Sequence, residues 1–338
     1  MLKKFLACSL LTVGITACAS DGDQVTQQTS AVAGDPIPAS PTALRINPLE
    51  VRDPHIFSDA LFCSDITGLA NALLDQSLTQ DKGPPTDGSL DINILPVFSP
   101  LAPDQATTGF ALDLGATCTT PMANTACTST GAQLTPSVAT NLTTGTCLTP
   151  LAGTTFSGYT PAISTSTAPC FSSAPVDTID VSLGTVTIHM TNAQIGGTYG
   201  GSPTALSNGL LRGFVSIDQA RTTLFPAALP LVGGKTLAQL LSGGDTFCTR
   251  PGGGNDLDTG PDGVTKGWYF YINYTAVQVP YTPYTPPAPD AGVPDAAPAP
   301  DAAPPPPPPA PDAAPDTTPV PTPEPDPDPV PTPDPGDI

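Results

Sequence analysis

Four oxygen-bearing side chains, Asn255, Asp256, Asp258 and Asp262, crowd into the glycine-rich stretch GGGNDLDTGPDGVTKGW. Carboxylates at relative positions one, three and seven of a flexible loop allow several oxygens to converge on one hard cation, and calcium is the ion that such a set suits. The competing reading is conformational, because Asp, Asn and Gly all favour tight turns without any ion. A third use of the same carboxylates is hydrolytic. Two of Asp256, Asp258 and Asp262 held about 5 to 9.5 Å apart in a cleft would have the geometry of a glycoside hydrolase.

The loop departs from the EF-hand pattern, with Pro261 where the sixth position needs Gly and Gly267 where the twelfth needs Glu. A weaker acidic stretch, DKGPPTDGSLD, carries Asp81, Asp87 and Asp91. Asp180 and His189 invite an acid/base reading, against a solvated cross-strand pair. GGKT at Gly233 to Thr236 resembles the end of a phosphate loop, but Leu229 stands where the first glycine is required. No G-x-S-x-G or H-E-x-x-H motif occurs, so neither an activated serine nor a catalytic zinc is indicated.

These residues must be positioned by a fold, and the sequence reads as mainly β. In IDVSLGTVTIHM the apolar positions Ile179, Val181 and Leu183 change parity after Gly184-Thr185 and resume at Val186, Ile188 and Met190. A two-residue hairpin turn produces that change and sets Leu183 opposite Val186, Val181 opposite Ile188, Ile179 opposite Met190 and Asp180 opposite His189. GWYFYINYTAVQV is apolar or aromatic on both parities, which suits a central strand covered on both faces. Trp268 on that strand reads as core ahead of a sugar-stacking surface.

Three short helices are expected. Ser64-Asp65 precedes Ile66, Leu69, Ala70, Leu73, Leu74 and Leu78 at helical spacing, with prolines at 84 and 85 to end it. Ser216 to Gln219 and Thr236 to Gln239 have the spacing of capping boxes. Together these elements predict an antiparallel, sandwich-like β domain with a few short helices, an α+β layer fold being the alternative.

The 338-residue chain has 46 prolines and eight cysteines. Residues 281–338 hold 24 prolines and ten acidic side chains without one basic residue, and repeat PDAA loosely around Pro304 to Pro309. This tail reads as a disordered, acidic, polyproline-like spacer. Residues 46–280 read as the globular domain, with a loop-rich region at 116–175. Between the signal lysines and the tail, 20 acidic groups face eight basic ones, which argues against nucleic acid as a partner.

Residues 1–17 have the layout of an export signal, with Lys3 and Lys4 followed by an apolar run from Phe5 to Ile15, too short to span a bilayer. The sequence Ile15-Thr16-Ala17-Cys18 resembles the lipobox of bacterial lipoprotein signal peptides. That resemblance implies acylation of Cys18, a lipid-anchored tether over residues 18–45 and, since Ala19 follows the cysteine, placement in the outer membrane. Ala17-Cys18-Ala19 also fits an ordinary secretory signal cut after Ala19. The tail resembles those of Pro/Ala/Asp-tailed myxobacterial surface lipoproteins.

Export leaves Cys63, Cys118, Cys127, Cys147, Cys170 and Cys248 as an even set in an oxidising compartment, which implies three disulfides with 15 possible pairings. Zinc is the rival use, but no C-x-x-C pair occurs. The function expected is that of a non-enzymatic envelope or surface lipoprotein with a binding or structural role, supported by calcium. Its partners would be the bilayer through Cys18 and an unidentified protein or glycan. The alternative is an exported carboxylate-dependent hydrolase of envelope or extracellular polymers.

Overall fold

The computed structural model describes residues 41–59, 62–82, 86–156, 158–183, 186–227, 229 and 231–286. The expected signal peptide, Cys18, the tether up to residue 40 and the tail from residue 287 onward lie outside the described residues. Eight strands carry the fold: β1 (Thr42–Asp53), β2 (Leu95–Ser99), β3 (Thr107–Asp113), β4 (Leu134–Leu142), β5 (Cys170–Ser173), β6 (Val186–Gly200), β7 (Ala205–Ser216) and β8 (Lys266–Val279). Each pairs antiparallel with the next in chain order. β8 then pairs back onto β1, from Ala43↔Val279 to Asp53↔Tyr271.

The expected mainly antiparallel β domain is therefore present, built as one up-and-down sheet that closes on itself. The opposing faces that a sandwich provides belong here to a single ring of strands, and closure removes the edges that an open sheet would expose. Two α-helices accompany it, α1 (Thr67–Thr79) and α2 (Ile217–Thr222). No helix among the described residues is long and apolar enough to cross a membrane.

β8 shows why the sheet needs two covers. Trp268, Phe270, Ile272, Tyr274 and Ala276 point into the barrel and join Leu44, Ile46, Phe98, Phe110, Phe171 and Tyr199 in one core. Tyr269 and Tyr271 point outward and pack with Leu148, Leu210 and Phe214 beneath Leu151 and Ile163. A third apolar group, including Ala43, Leu95, Val97, Ala111 and Leu134, lies under Cys118, Cys127 and Tyr281. Trp268 is fully buried and its indole donates to the Ser242 carbonyl at 3.0 Å, so it belongs to the core.

The hairpin register holds residue for residue, including Ile179↔Met190, Asp180↔His189, Val181↔Ile188 and Leu183↔Val186; its turn, residues 184 and 185, lies outside the described residues. α1 begins at Thr67, where Asp65 Oδ1 accepts the Thr67 amide at 2.9 Å, and ends before Gln80, ahead of the prolines. In α2, Ser216 Oγ accepts the Gln219 amide at 3.1 Å while Gln219 Oε1 accepts the Ser216 amide at 3.0 Å. The third expected helix is a single 3-10 turn, Leu237–Gln239, in which Gln239 Oε1 accepts the Thr236 amide at 2.8 Å.

Two boundaries differ from expectation. β1 starts at Thr42, ahead of residue 46, because Ala43 to Ile46 are buried on both faces of the strand. Past Pro280, Tyr281 and Thr282 pair with Cys127 and Thr128. The region 116–175 also does more than loop, since it contributes β4 and β5 to the barrel wall. All six expected cysteines pair: Cys63 with Cys248, Cys118 with Cys127, and Cys147 with Cys170.

Tyr274 lies flat inside the wall, its hydroxyl donating to the Gly196 carbonyl at 2.9 Å. A Cβ at Gly209 would stand 2.5 Å from that ring. Gly209→Ala is therefore expected to cost about 1–3 kcal/mol through overpacking, measured by urea unfolding of the oxidised protein; unchanged stability would contradict this packing.

Candidate functional site

α1 is held to the barrel by one side chain acting as a strand surrogate. Asn71 Oδ1 accepts the Val51 amide at 2.8 Å and Asn71 Nδ2 donates to the Val51 carbonyl at 3.0 Å. At the amino end of α1, Thr67 Oγ1 accepts the Ile56 amide at 2.8 Å, and the Ile66 amide donates to the Ile56 carbonyl at 2.8 Å. These bonds fix the helix beside β1, with Leu78 buried in the barrel core and Ala70 and Leu74 packed against it.

A cavity of about 730 Å³ lies between α1 and the barrel. Its walls include Ile56, Ile66, Leu73, Leu74, Ile188 and Phe270. Leu69, which also faces it, stays 41% exposed, and Leu73 and Leu74 are half-buried. Helical leucines normally bury themselves against a core; here the space they would fill is open. The volume falls within the range of small-molecule sites. Polar groups gather at the far end, where Lys82, Asp87, Ser89, Asp91 and Asn93 line the cavity beyond the carboxyl end of α1.

A buried polar cluster adjoins the other end, next to Ile56 and Ile66. The His55 ring stacks on Tyr159 with centroids 3.5 Å apart, and its Nδ1 meets Asp65 Oδ2 at 2.5 Å. The Tyr159 hydroxyl donates to Asp256 Oδ2 at 2.7 Å, and Arg250 lies 3.5 Å from Asp256 Oδ1 with its guanidinium over the Phe156 ring. Asp53 Oδ2 accepts the Phe156 amide at 2.8 Å.

Burial pushes the Asp53 carboxyl up to about 7, with Asp256 and Asp258 adding repulsion. Asp258 is pushed up to about 6, also chiefly by burial, although it accepts the Tyr269 amide at 3.2 Å. Burial likewise raises Asp256 and, together with the hydrogen bond to Asp256, Tyr159. Three acids thus lie close together, with Arg250 pairing Asp256 and with Lys266 and His55 also near enough to oppose the rise.

The four side chains of the acidic stretch point in different directions. Asp256 turns inward to Tyr159 and Arg250, Asp258 to the Tyr269 amide, and Asn255 Oδ1 accepts the Leu257 amide at 3.2 Å. Asp262 stands apart and caps its own turn through the Val264 amide at 3.0 Å, the Thr265 amide at 2.9 Å and the Thr265 hydroxyl. Among the described residues, no group of three or more His, Cys, Asp or Glu side chains is placed to hold a metal. Each of the four side chains expected as calcium ligands thus has a partner within the protein, a backbone amide or a neighbouring side chain. The cavity beside α1 is not lined by Asp256, Asp258 or Asp262.

Asp81, Asp87 and Asp91 accept the amides of Gly88, Ser89 and Lys82, so they also serve turns. Asp180 Oδ1 meets His189 Nδ1 at 2.6 Å with both side chains nearly half exposed, a solvated cross-strand pair. Lys235 of GGKT pairs with Asp59. Sequence reasoning missed His55, Tyr159 and Asp53, which sit far apart in the chain and carry no motif. Comparison with protein-family models, curated proteins and solved structures finds no match to this chain.

The raised carboxyls set a pH dependence. Below about pH 4 both folded and unfolded chains hold the Asp53 proton, but between the ordinary value of 3.8 and about 7 only the unfolded chain releases it. Stability therefore falls across that window, by at most about 1.4 kcal/mol per pH unit for one group. Asp53→Asn is expected to flatten the slope of Tm against pH between 4.5 and 7.5 and to raise Tm at pH 8; an unaltered slope would show that Asp53 is ionised in the fold.

Proposed function

We propose that this chain is an exported, lipid-anchored envelope protein that acts by binding, without catalysis, and that its ligand is a small molecule with a substantial apolar part, seated between α1 and the barrel end. The observation that carries the reading is the mismatch between Leu69, Leu73 and Leu74, left partly exposed, and the open volume of about 730 Å³ in front of them. Filling that volume would complete the burial of the helix face, and each buried methylene contributes about 0.8 kcal/mol.

Anchoring through Cys18 rests on the lipobox-like Ile15-Thr16-Ala17-Cys18 and on the charge and length of the segment before it. Two or more acyl chains on one cysteine hold a protein on a bilayer stably, whereas one does not. A tethered binding domain with a long acidic proline-rich extension fits a task at the envelope surface, where a captured apolar molecule is kept close to the membrane.

Two outcomes test this reading. Cys18→Ala is expected to abolish incorporation of labelled palmitate and to move the protein out of the membrane fraction; unchanged labelling would contradict the anchor. The neutral fluorescent probe N-phenyl-1-naphthylamine is expected to bind the oxidised full chain one to one. Leu73→Trp, which places an indole in the cavity, should weaken it at least about tenfold with unaltered far-ultraviolet circular dichroism and urea midpoint; full binding by that variant would place the probe elsewhere.

A further inference from the structure

A buried cation without a counter-charge lies on the outer face of β1. Leu44 and Ile46 point into the barrel core, so Arg45 between them points outward, yet it is only 1% exposed. Its Nε donates to Asn93 Oδ1, and its Nη2 donates to the Leu78 and Ile92 carbonyls. These bonds use three of the five guanidinium donors, and the remaining two sit on Nη1, which is buried without a partner. Among the described residues no carboxylate lies within ion-pair distance of Arg45. Burial lowers the group to about 10, so it stays charged at neutral pH.

A cavity of about 390 Å³ opens beside this residue. Among the described residues lining it, Arg45 is the one that ionises; Asn124, Thr125 and Gln278 add polar groups, and Met122 and Val277 form part of its apolar wall. The Thr125 hydroxyl is also buried without a partner. Asn47 Nδ2 donates to the Met122 thioether at 3.4 Å, a weak acceptor, and Asn47 Oδ1 has no partner. Buried polar groups are nearly always satisfied, so a set left open in one place marks a position for water or an ion. Water would meet the hydrogen bonds and leave the charge uncompensated; an anion meets both.

We propose that this cavity binds a small monocarboxylate, its oxygens taken by Arg45 Nη1 and the Thr125 hydroxyl and its short apolar body lying against Met122 and Val277. One buried positive charge matches one negative charge, whereas a dianion such as sulfate would carry an unpaired charge into the same place. The apolar wall gives a carbon body a surface that an inorganic ion cannot use. Met122, unbranched and with three rotatable bonds, turns aside to bring the buried donors within reach. The acidic chain offers anions no general attraction, so the site acts by contact. It shares no lining residue with the cavity beside α1, and the proposal does not rest on the role of that cavity.

The chain has three methionines, and Met190, fully buried in the barrel core, serves as an internal control. The test is a titration of the oxidised full chain carrying Cys18→Ala and methyl-labelled methionine with sodium butyrate, against sodium chloride of equal ionic strength, at pH 7. The Met122 methyl should shift saturably with butyrate and not with chloride, while Met190 stays in place. Sodium sulfate should bind at least about tenfold more weakly. Thr125→Val, close in shape, should weaken butyrate at least about threefold through the lost hydrogen bond, and Arg45→Met should abolish saturation. No saturable Met122 shift, or an equal one in Arg45→Met, would overturn the proposal. Should Arg45→Met fail to fold, undiminished binding by Thr125→Val would overturn it instead, and sulfate binding as well as butyrate would overturn the choice of a monocarboxylate.

Discussion

Closure of the sheet by the pairing of β8 with β1 is the constraint on which the remaining structure depends. Those two strands are the first and last of the barrel, and their register joins residues more than two hundred positions apart in the chain. Because the ring has no end, each wall strand must satisfy an inner face and an outer face at once. Trp268, Phe270 and Ile272 fill the interior, while Tyr269 and Tyr271 require the covering segment around Leu151 and Ile163. The Tyr271 hydroxyl accepts the Leu151 amide at 3.1 Å and pairs with the Thr154 hydroxyl, which ties that cover to the wall.

The same wall bounds the cavity proposed as the ligand site. The phenylalanines at 98, 110 and 171 pack together in the middle of the barrel. Beside β1, α1 is pinned by Asn71 on Val51 and by the Ile56, Ile66 and Thr67 bonds. The disulfide between Cys63 and Cys248 adds a covalent tie from the segment before α1 to the segment before the acidic stretch. Asp53 and Asp256 are buried and Asp258 half-buried nearby, and burial raises the proton affinity of all three.

How much of this could be read from residues alone follows physical lines. The Ile179 to Met190 hairpin was legible to the exact register because local alternation and a two-residue turn determine it. β8 was legible as a doubly covered strand from its unbroken apolar run. By contrast, β4 and β5 read as loop because Thr and Ser fill positions in LTPSVATNL and CFSS that larger apolar residues usually mark. β1 was hidden by Arg45, a charged residue that is nevertheless fully buried, with Nε donating to Asn93 Oδ1 at 3.1 Å and Nη2 to the Ile92 carbonyl at 2.9 Å. The acidic loop misled for a different reason. Spacing shows which oxygens are near in sequence, and backbone amides and Tyr159 compete for them in the fold.

The proposed binding role rests on the closed wall, the helix beside it and the apolar space between them. Its most direct test is a methyl NMR titration of the oxidised full chain carrying Cys18→Ala with dodecanol. Shifts concentrated at Leu69, Leu73, Leu74, Ile56 and Ile188, saturating together, are the predicted result. Shifts confined to surface methyls such as those of Leu224, Leu231 and Val264, or no saturable shift at all, would contradict it.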